Sequence, residues 1–379
     1  MKWLFNLGKV KIEIVVNIIN KLLFRLTRKS SFFIILFYSL ILGGWRSASV
    51  YAQDPHFSQF FYSPLTVNPA NTGVFNGDIR ASSMYRMQWS TVTSPFKTTS
   101  IAIDAPVSKG SLRRNDFFSM GLNIVNDNQG SAGLTTNVYN LLGSYTKYTG
   151  GDRSSYLSFG YELGYGMKTA GLGSLKYDSQ YDPNTGGYSS TMGVNEQYTS
   201  TAQFIDMSSG LVWNYSNERK SRNSLGVSIH HLTAPNVSIL GKKDTLLRKF
   251  SFQWNGAYAI GGRNTNAELL PSFMIAKQGG SLLINAGASI KFLLQQRSRY
   301  TSFHNERSMS AGLYYRYKDA AYVNLRFDIE DFSFGVAYDI NISGLTPASK
   351  AVGSFEGMLL YRGVFGNHKM SKRSSTQFL

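Results

Sequence analysis

The sequence predicts an all-β protein, a transmembrane antiparallel β-barrel of outer-membrane type with about 14 strands. Three observations carry this expectation. Segments of about ten residues alternate large apolar with small polar side chains. After residue 52 no stretch is apolar enough to cross a bilayer as a helix. Charged residues make up only 16% of the chain and aromatics 14%, whereas soluble domains carry about 25% charge. A chain that crosses lipid without helices must close its sheet, because an open edge leaves backbone groups unpaired in hydrocarbon.

The alternation is strict. In residues 156–168, Leu157, Phe159, Tyr161, Leu163, Tyr165 and Met167 point one way, and Ser158, Gly160, Glu162, Gly164, Gly166 and Lys168 the other. In 203–215, Ile205, Met207, Leu211, Trp213 and Tyr215 oppose Asp206, Ser208, Gly210 and Asn214. Phe250, Phe252, Trp254, Tyr258 and Ile260 oppose Ser251, Gln253 and Asn255; later, Phe332, Phe334, Val336, Tyr338, Ile340 and Ile342 oppose Asp331, Ser333, Gly335, Asp339 and Asn341. Period two marks a strand, and about ten residues suit a tilted transmembrane strand. A soluble β-sandwich also alternates, but its polar face meets water and carries Lys, Glu and Thr. Here the polar face is Ser, Gly and Asn and the other face is aromatic, the inverted pattern of a membrane barrel.

Strands are expected near 78–90, 96–107, 116–127, 133–149, 155–168, 203–216, 223–233, 248–260, 267–278, 281–293, 308–318, 320–330, 331–343 and 354–365. The number is even, as single-chain bacterial barrels require. If the first strand runs outward from the periplasm, the long connections 169–202, 234–247 and 344–353 lie outside. The turns Gly150-Gly151-Asp152 and Glu330-Asp331 then lie on the periplasmic side, together with the longer connections 108–115 and 294–307.

Before the barrel, Arg25, Arg28 and Lys29 precede the apolar run 31–44, and Val50-Tyr51-Ala52 supplies small residues at −3 and −1. That is the grammar of a secretory signal cleaved before Gln53, with an unusually long basic region ahead of it. The apolar run is shorter than the roughly 20 residues a spanning helix needs. The formal charge of +17 is partly the leader's: residues 1–52 hold eight of the 39 basic residues and one of the 22 acids, leaving a net +10. That remainder is scattered through turns and the tail, not gathered into a groove with aromatics, so no nucleic-acid partner is expected. Lys109, Arg113, Arg114, Arg219, Lys220, Arg222, Arg297, Arg299 and Arg307 would line the periplasmic rim, against Lys242, Lys243, Arg248 and Lys249 outside.

Nothing in the sequence assembles a catalytic or metal site. There is no Cys, which removes disulfides, thiolate metal sites and cysteine nucleophiles. His56, His230, His231, His304 and His368 show no metal-ligand spacing, and His230 and His231, adjacent on a strand, would face opposite ways. Asp182–Gly187 reads as a plain turn, lacking the acid that closes a calcium loop. No cofactor is expected, and a rim-borne hydrolase is the least favoured reading.

Two groups of residues are singled out for a role. Residues 53–77 have no clean period and are rich in Pro, Asn and aromatics. Their side chains Phe57, Phe60, Phe61 and Tyr62 would be costly in open water, and Asn68-Pro69-Ala70 is a turn former. This segment is expected to fold into the lumen as a plug or to form a periplasmic partner surface. Arg86, Glu162 and Asp206 are the expected lumen charges, with Glu162 or Asp206 as the partner of Arg86.

The segment QDPHFSQFFYSPLTVNPANTGVFNGDIRASSMYRMQWS (53–90), followed by SPFKTTSIAIDAPV (94–107), resembles the start of the PorP/SprF family. GVSIHHLTAPNVSIL (226–240), ELLPSFMIAKQGG (268–280), YYRYKDAAYV (314–323), FGVAYDINISGLTPAS (334–349) and FEGMLLYR (355–362) continue the resemblance in order through nearly the whole chain after the leader. The tail 368–379 lacks the Cys-Pro-Arg-like ending of many members. The resemblance implies a non-enzymatic outer-membrane barrel of the type IX secretion and gliding machinery in a Gram-negative bacterium. Such a barrel would bind or anchor a secreted adhesin bearing a C-terminal sorting domain, contact translocon or periplasmic ring components, and sit in outer-membrane lipid. A channel for hydrophobic or small solutes, like the fourteen-stranded fatty-acid transporters, is the alternative. The expected organisation is a signal peptide at 1–52, a plug or periplasmic segment at 53–77, the barrel at 78–365 and a tail at 366–379.

Overall fold

A computed structural model of the chain describes residues 54–364, except 92–93, 108–115, 131–132, 150–153, 172–177, 184, 189–200, 218–220, 240–242, 261–265, 296–306 and 345. The leader at 1–52, the turn at 150–152, the tail at 366–379 and most of the expected basic rim lie outside the described residues; Arg222 and Arg307 lie within them.

Among the described residues, fourteen strands close into one antiparallel barrel: β1 (Ile79–Gln88), β2 (Phe96–Pro106), β3 (Phe117–Gln129), β4 (Leu134–Tyr148), β5 (Ser155–Thr169), β6 (Thr201–Ser216), β7 (Arg222–His230), β8 (Lys249–Ala259), β9 (Ala267–Gln278), β10 (Ser281–Gln295), β11 (Arg307–Arg316), β12 (Ala320–Ile329), β13 (Phe332–Asn341) and β14 (Val352–Gly363). Each strand pairs with its sequence neighbours. The ring is sealed by β1 against β14 over ten consecutive register positions, Ile79↔Gly363 to Gln88↔Ser354. Closure satisfies the backbone without an edge, which is what makes a sheet viable in lipid. No helix among the described residues is long and apolar enough to cross a membrane.

The two faces of the wall follow the alternation. Phe159, Leu163, Ile205, Trp213, Phe334 and Tyr338 project outward, whereas Ser158, Asn214, Ser333 and Asp339 are fully buried on the lumen side. Two strands stop earlier than their patterns predict. β1 ends at Gln88 and β7 at His230, and in each case the next residue, Trp89 (φ 57°) or His231 (φ 59°), takes the left-handed conformation. A non-glycine residue there cannot continue a ladder, so the expected strand to 233 is cut short and the His231 imidazole swings out of the alternation. Between β5 and β6 a small ribbon pairs Tyr181–Asp182 with Gly187–Tyr188. The Gly186 N–H donates to the Asp182 carbonyl at 2.9 Å across its turn.

Odd strands run from the end where β1 begins to the opposite mouth, and even strands return. The connections 170–200, 231–248 and 342–351 therefore share the far mouth, while 149–154 and 330–331 lie at the near one.

Candidate functional site in the barrel lumen

Residues 54–77 run along the lumen from the far mouth to the near one. The segment has three short helical pieces, Phe60–Tyr62, Pro64–Val67 and Pro69–Asn71, with prolines at the first turns of the last two. A Pro there forfeits no hydrogen bond, since that N–H has no helical partner anyway. Asn68 caps the last piece by accepting the Ala70 N–H at 2.9 Å. Phe57, Phe60, Tyr62, Asn68, Pro69 and Ala70 are buried and Phe61 is half-buried. Phe57 and Tyr62 pack with Met84, Met358 and Leu360; Phe60 packs with Val67 and Met274; Phe61 stacks on Tyr314 at 5.0 Å.

At the far mouth the segment is held by charge. Asp54 Oδ2 lies 2.7 Å from His231 Nε2 and 2.6 Å from Lys249 Nζ, and Gln278 exchanges two 3.0 Å hydrogen bonds with Asp54. The other ring nitrogen of His231 lies 2.6 Å from Asp206. Burial pulls His231 towards the neutral form, but the charge of Asp54 and the hydrogen bonds it donates to both carboxylates outweigh it and raise its pKa to about 9. Burial pushes Asp54 up, but Lys249 and His231 together hold it well below the usual carboxylate range.

Just below, Ser58 has every polar atom engaged. Its N–H donates to Glu356 at 2.6 Å and its hydroxyl to Asp339 at 2.7 Å; its carbonyl accepts from Tyr322 and Asn285. Arg316 donates to the Ser58 hydroxyl at 2.6 Å and to Asp339 at 2.8 Å. Arg86 stands 3.4 Å from Glu356 and 3.6 Å from Asp339 and donates to the His56 carbonyl. The expected pairing of Arg86 with Glu162 or Asp206 is thus corrected. Those acids lie on β5 and β6, four and five strands away, whereas Glu356 is the register partner of Arg86 on the adjoining β14. Glu162 instead accepts from Ser208 at 3.0 Å, and Asp206 belongs to the His231 cluster.

At mid-depth, Asn68-Pro69-Ala70 lies in a groove made by absent side chains. A β-carbon on Gly160 would stand 2.2 Å from the Ala70 nitrogen, and one on Gly210 2.1 Å from Asn68 Oδ1. The Asn68 amide donates to the carbonyls of Leu211 and Val227 at 3.2 and 3.0 Å. At the near mouth Arg80 and Asp104 form a buried pair at 2.8 Å, and Asp104 also accepts the Gly73 N–H at 2.6 Å. Gly73 has φ 70° and sits against Ser119.

Two sequence signals to this arrangement were visible but unassigned. Acids on an otherwise Ser/Gly/Asn face, Asp339 and Glu356, mark buried pairing partners. Glycines at lumen positions of adjoining strands, Gly160 and Gly210, mark a close backbone approach. Asp54, His231 and Lys249 had no local signal, because their pairings span between 25 and 195 residues of sequence, and Arg316 reaches Asp339 across 23.

The arrangement offers much complementary surface and little reactive chemistry. Among the described residues no group of three or more His, Asp or Glu side chains is placed to hold a metal ion. A cavity of about 60 Å³ opens at the far mouth beside Asp54, Lys249, Gln278, Phe57 and Met274. It lies between the segment, which lines it from Asp54 to Val67, and wall residues of β8, β9 and β10 such as Ser251, Ala276 and Leu283.

A sequence model for a family described as "Type IX secretion system membrane protein PorP/SprF" matches residues 49–361. The chain belongs to the PorP/SprF family. It is accordingly a type IX secretion barrel of the outer membrane, as the motif series implied. Among solved structures it is similar to the TodX monoaromatic hydrocarbon channel (a deletion mutant; 10% identity, 80% of this chain and 94% of that one, TM-score 0.44). It is also similar to the CymD monoaromatic hydrocarbon channel (10%, 87% and 97%, 0.43) and to BamA from Haemophilus ducreyi lacking POTRA domains 1–3 (9%, 76% and 70%, 0.39). Comparison with curated proteins finds no match.

Proposed function

We propose that this PorP/SprF barrel works without catalysis, as the outer-membrane receptor that anchors or delivers a secreted adhesin through the adhesin's C-terminal sorting domain. It would meet translocon or periplasmic ring components on its periplasmic side. The observation that carries this reading is the filled lumen. Residues 54–77 are hydrogen-bonded to the wall at both mouths and at mid-depth, which supports a plugged barrel that presents its rims and loops. A rigid barrel with long loops at one mouth suits recognition by a large complementary surface. In this reading residues 54–77 act as a plug, with Phe57, Phe60, Phe61, Tyr62 and Asn68-Pro69-Ala70 as its wall contacts and Arg86, Glu162 and Asp206 as charges of the lumen, Arg86 holding the segment through the His56 carbonyl.

The test is deletion of the gene, with the surface and secreted proteomes compared with the parent and with a strain in which loop 171–200 is shortened. One or a few large sorting-domain proteins should be lost from the surface in both strains, while the shortened barrel still inserts. An unchanged surface proteome together with a lost uptake of hydrophobic or small solutes would overturn this reading in favour of a channel.

A further inference from the structure

We infer that the chain is threaded through its own barrel, so that the Asp54 end of the lumen segment is presented at the mouth that carries the long loops. The segment enters β1 at the near mouth, where the Asp78 N–H donates to the Gly363 carbonyl at 2.8 Å. Followed backwards, it meets Asp104 through Gly73, Leu211 and Val227 through Asn68, Glu356 and Asp339 through Ser58, and finally His231, Lys249 and Gln278 through Asp54. His231 follows the far end of β7, Lys249 opens β8 and Gln278 closes β9. Asp54 therefore stands at the mouth opposite to the one where β1 begins.

Both ends of the segment lie on opposite sides of a closed ring. The barrel wall is hydrogen-bonded all the way round, so the segment cannot be laid in sideways once β1 has met β14; either the wall closes around it or its end is drawn through along the axis. The near mouth is periplasmic, because the short turns, the start of β1 and the end of β14 lie there and the long loops lie opposite.

The natural chain has no Cys, so single-thiol variants report sidedness cleanly. Pro55→Cys, at an exposed position beside Asp54, should react with a membrane-impermeant maleimide on intact cells. Tyr181→Cys in the exposed ribbon should behave alike, and Asp331→Cys at the near mouth should react only after the outer membrane is permeabilised. Pro55→Cys grouping with Asp331→Cys overturns the threading. Should Pro55→Cys react under neither condition, an epitope inserted between Gln53 and Asp54 decides: antibody binding on intact cells supports the inference, and binding only after permeabilisation overturns it. These readouts concern the barrel alone and stand apart from the identity of any secreted partner.

Discussion

Gly160 and Ala70 approach so closely that one added carbon on Gly160 would fall 2.2 Å from the Ala70 nitrogen. The wall of β5 and the segment in the lumen are therefore fitted to each other at backbone level, and a side chain at Gly160 must displace one of them. Gly160→Val should lower the midpoint of heat-induced unfolding, by the about 1–3 kcal/mol typical of overpacking, and should raise protease sensitivity of residues 54–77. Gly143→Ala, on the outward face with nothing within 4 Å of its built β-carbon, should do neither. Equal behaviour of the two variants would mean that the groove is not occupied.

The facing of β5 is tested by a neighbouring pair. Leu163 projects outward, so Leu163→Arg places charge in hydrocarbon at a cost of roughly 2–4 kcal/mol near the midplane. Gly164 faces inward, and a side chain there meets only the end of the Asn140 amide at 2.5 Å, which can swing aside. Gly164→Ser should assemble normally while Leu163→Arg assembles poorly, as read by the heat-modifiable band.

The Arg80–Asp104 pair is almost fully shielded from solvent. Removing one member strands the other, at about 3–5 kcal/mol. Arg80→Met should be destabilised to that extent in thermal melts, and Asp104→Asn similarly, since it also weakens the Gly73 contact. Arg80→Met combined with Asp104→Leu should recover much of the loss. A double variant as unstable as the sum of the singles would show that the two do not act as a pair.

At the far mouth the pH response has a definite sign. His231 titrates at about 9 in the folded protein and near 6.5 when unfolded. A raised folded value means that its contribution is complete below pH 6.5 and disappears as pH climbs through 9. Between pH 6.5 and 9.5 stability should fall by up to about 3 kcal/mol, with Asp54, Asp206 and Lys249 around the ring. Asp54 contributes the opposite leg, lost only in acid. His231→Asn should flatten the alkaline leg in melts or in proteolysis of residues 54–77.

Strand positions were legible because each is a local pattern. Alternation in 156–168 or 332–342 needs no knowledge of the neighbours, and the family motifs lie in one continuous order. The ends of β1 and β7 were less legible, because Trp89 and His231 take a left-handed conformation that composition does not announce. The pairing of Arg86 is hidden for a different reason: partner choice follows register, and β14 becomes the neighbour of β1 only when the ring closes. The His231 cluster depends likewise on a lumen segment meeting three loop-proximal residues at once.

The β1–β14 closure also limits how anything could leave this protein. A sideways exit from the interior into the bilayer would have to unpair ten register positions and leave their amides and carbonyls in hydrocarbon, each at several kcal/mol. No such slit can open at thermal cost while the wall stays in lipid. This seam is closed to lateral traffic, and the bilayer beside it serves as a seal, not as a destination.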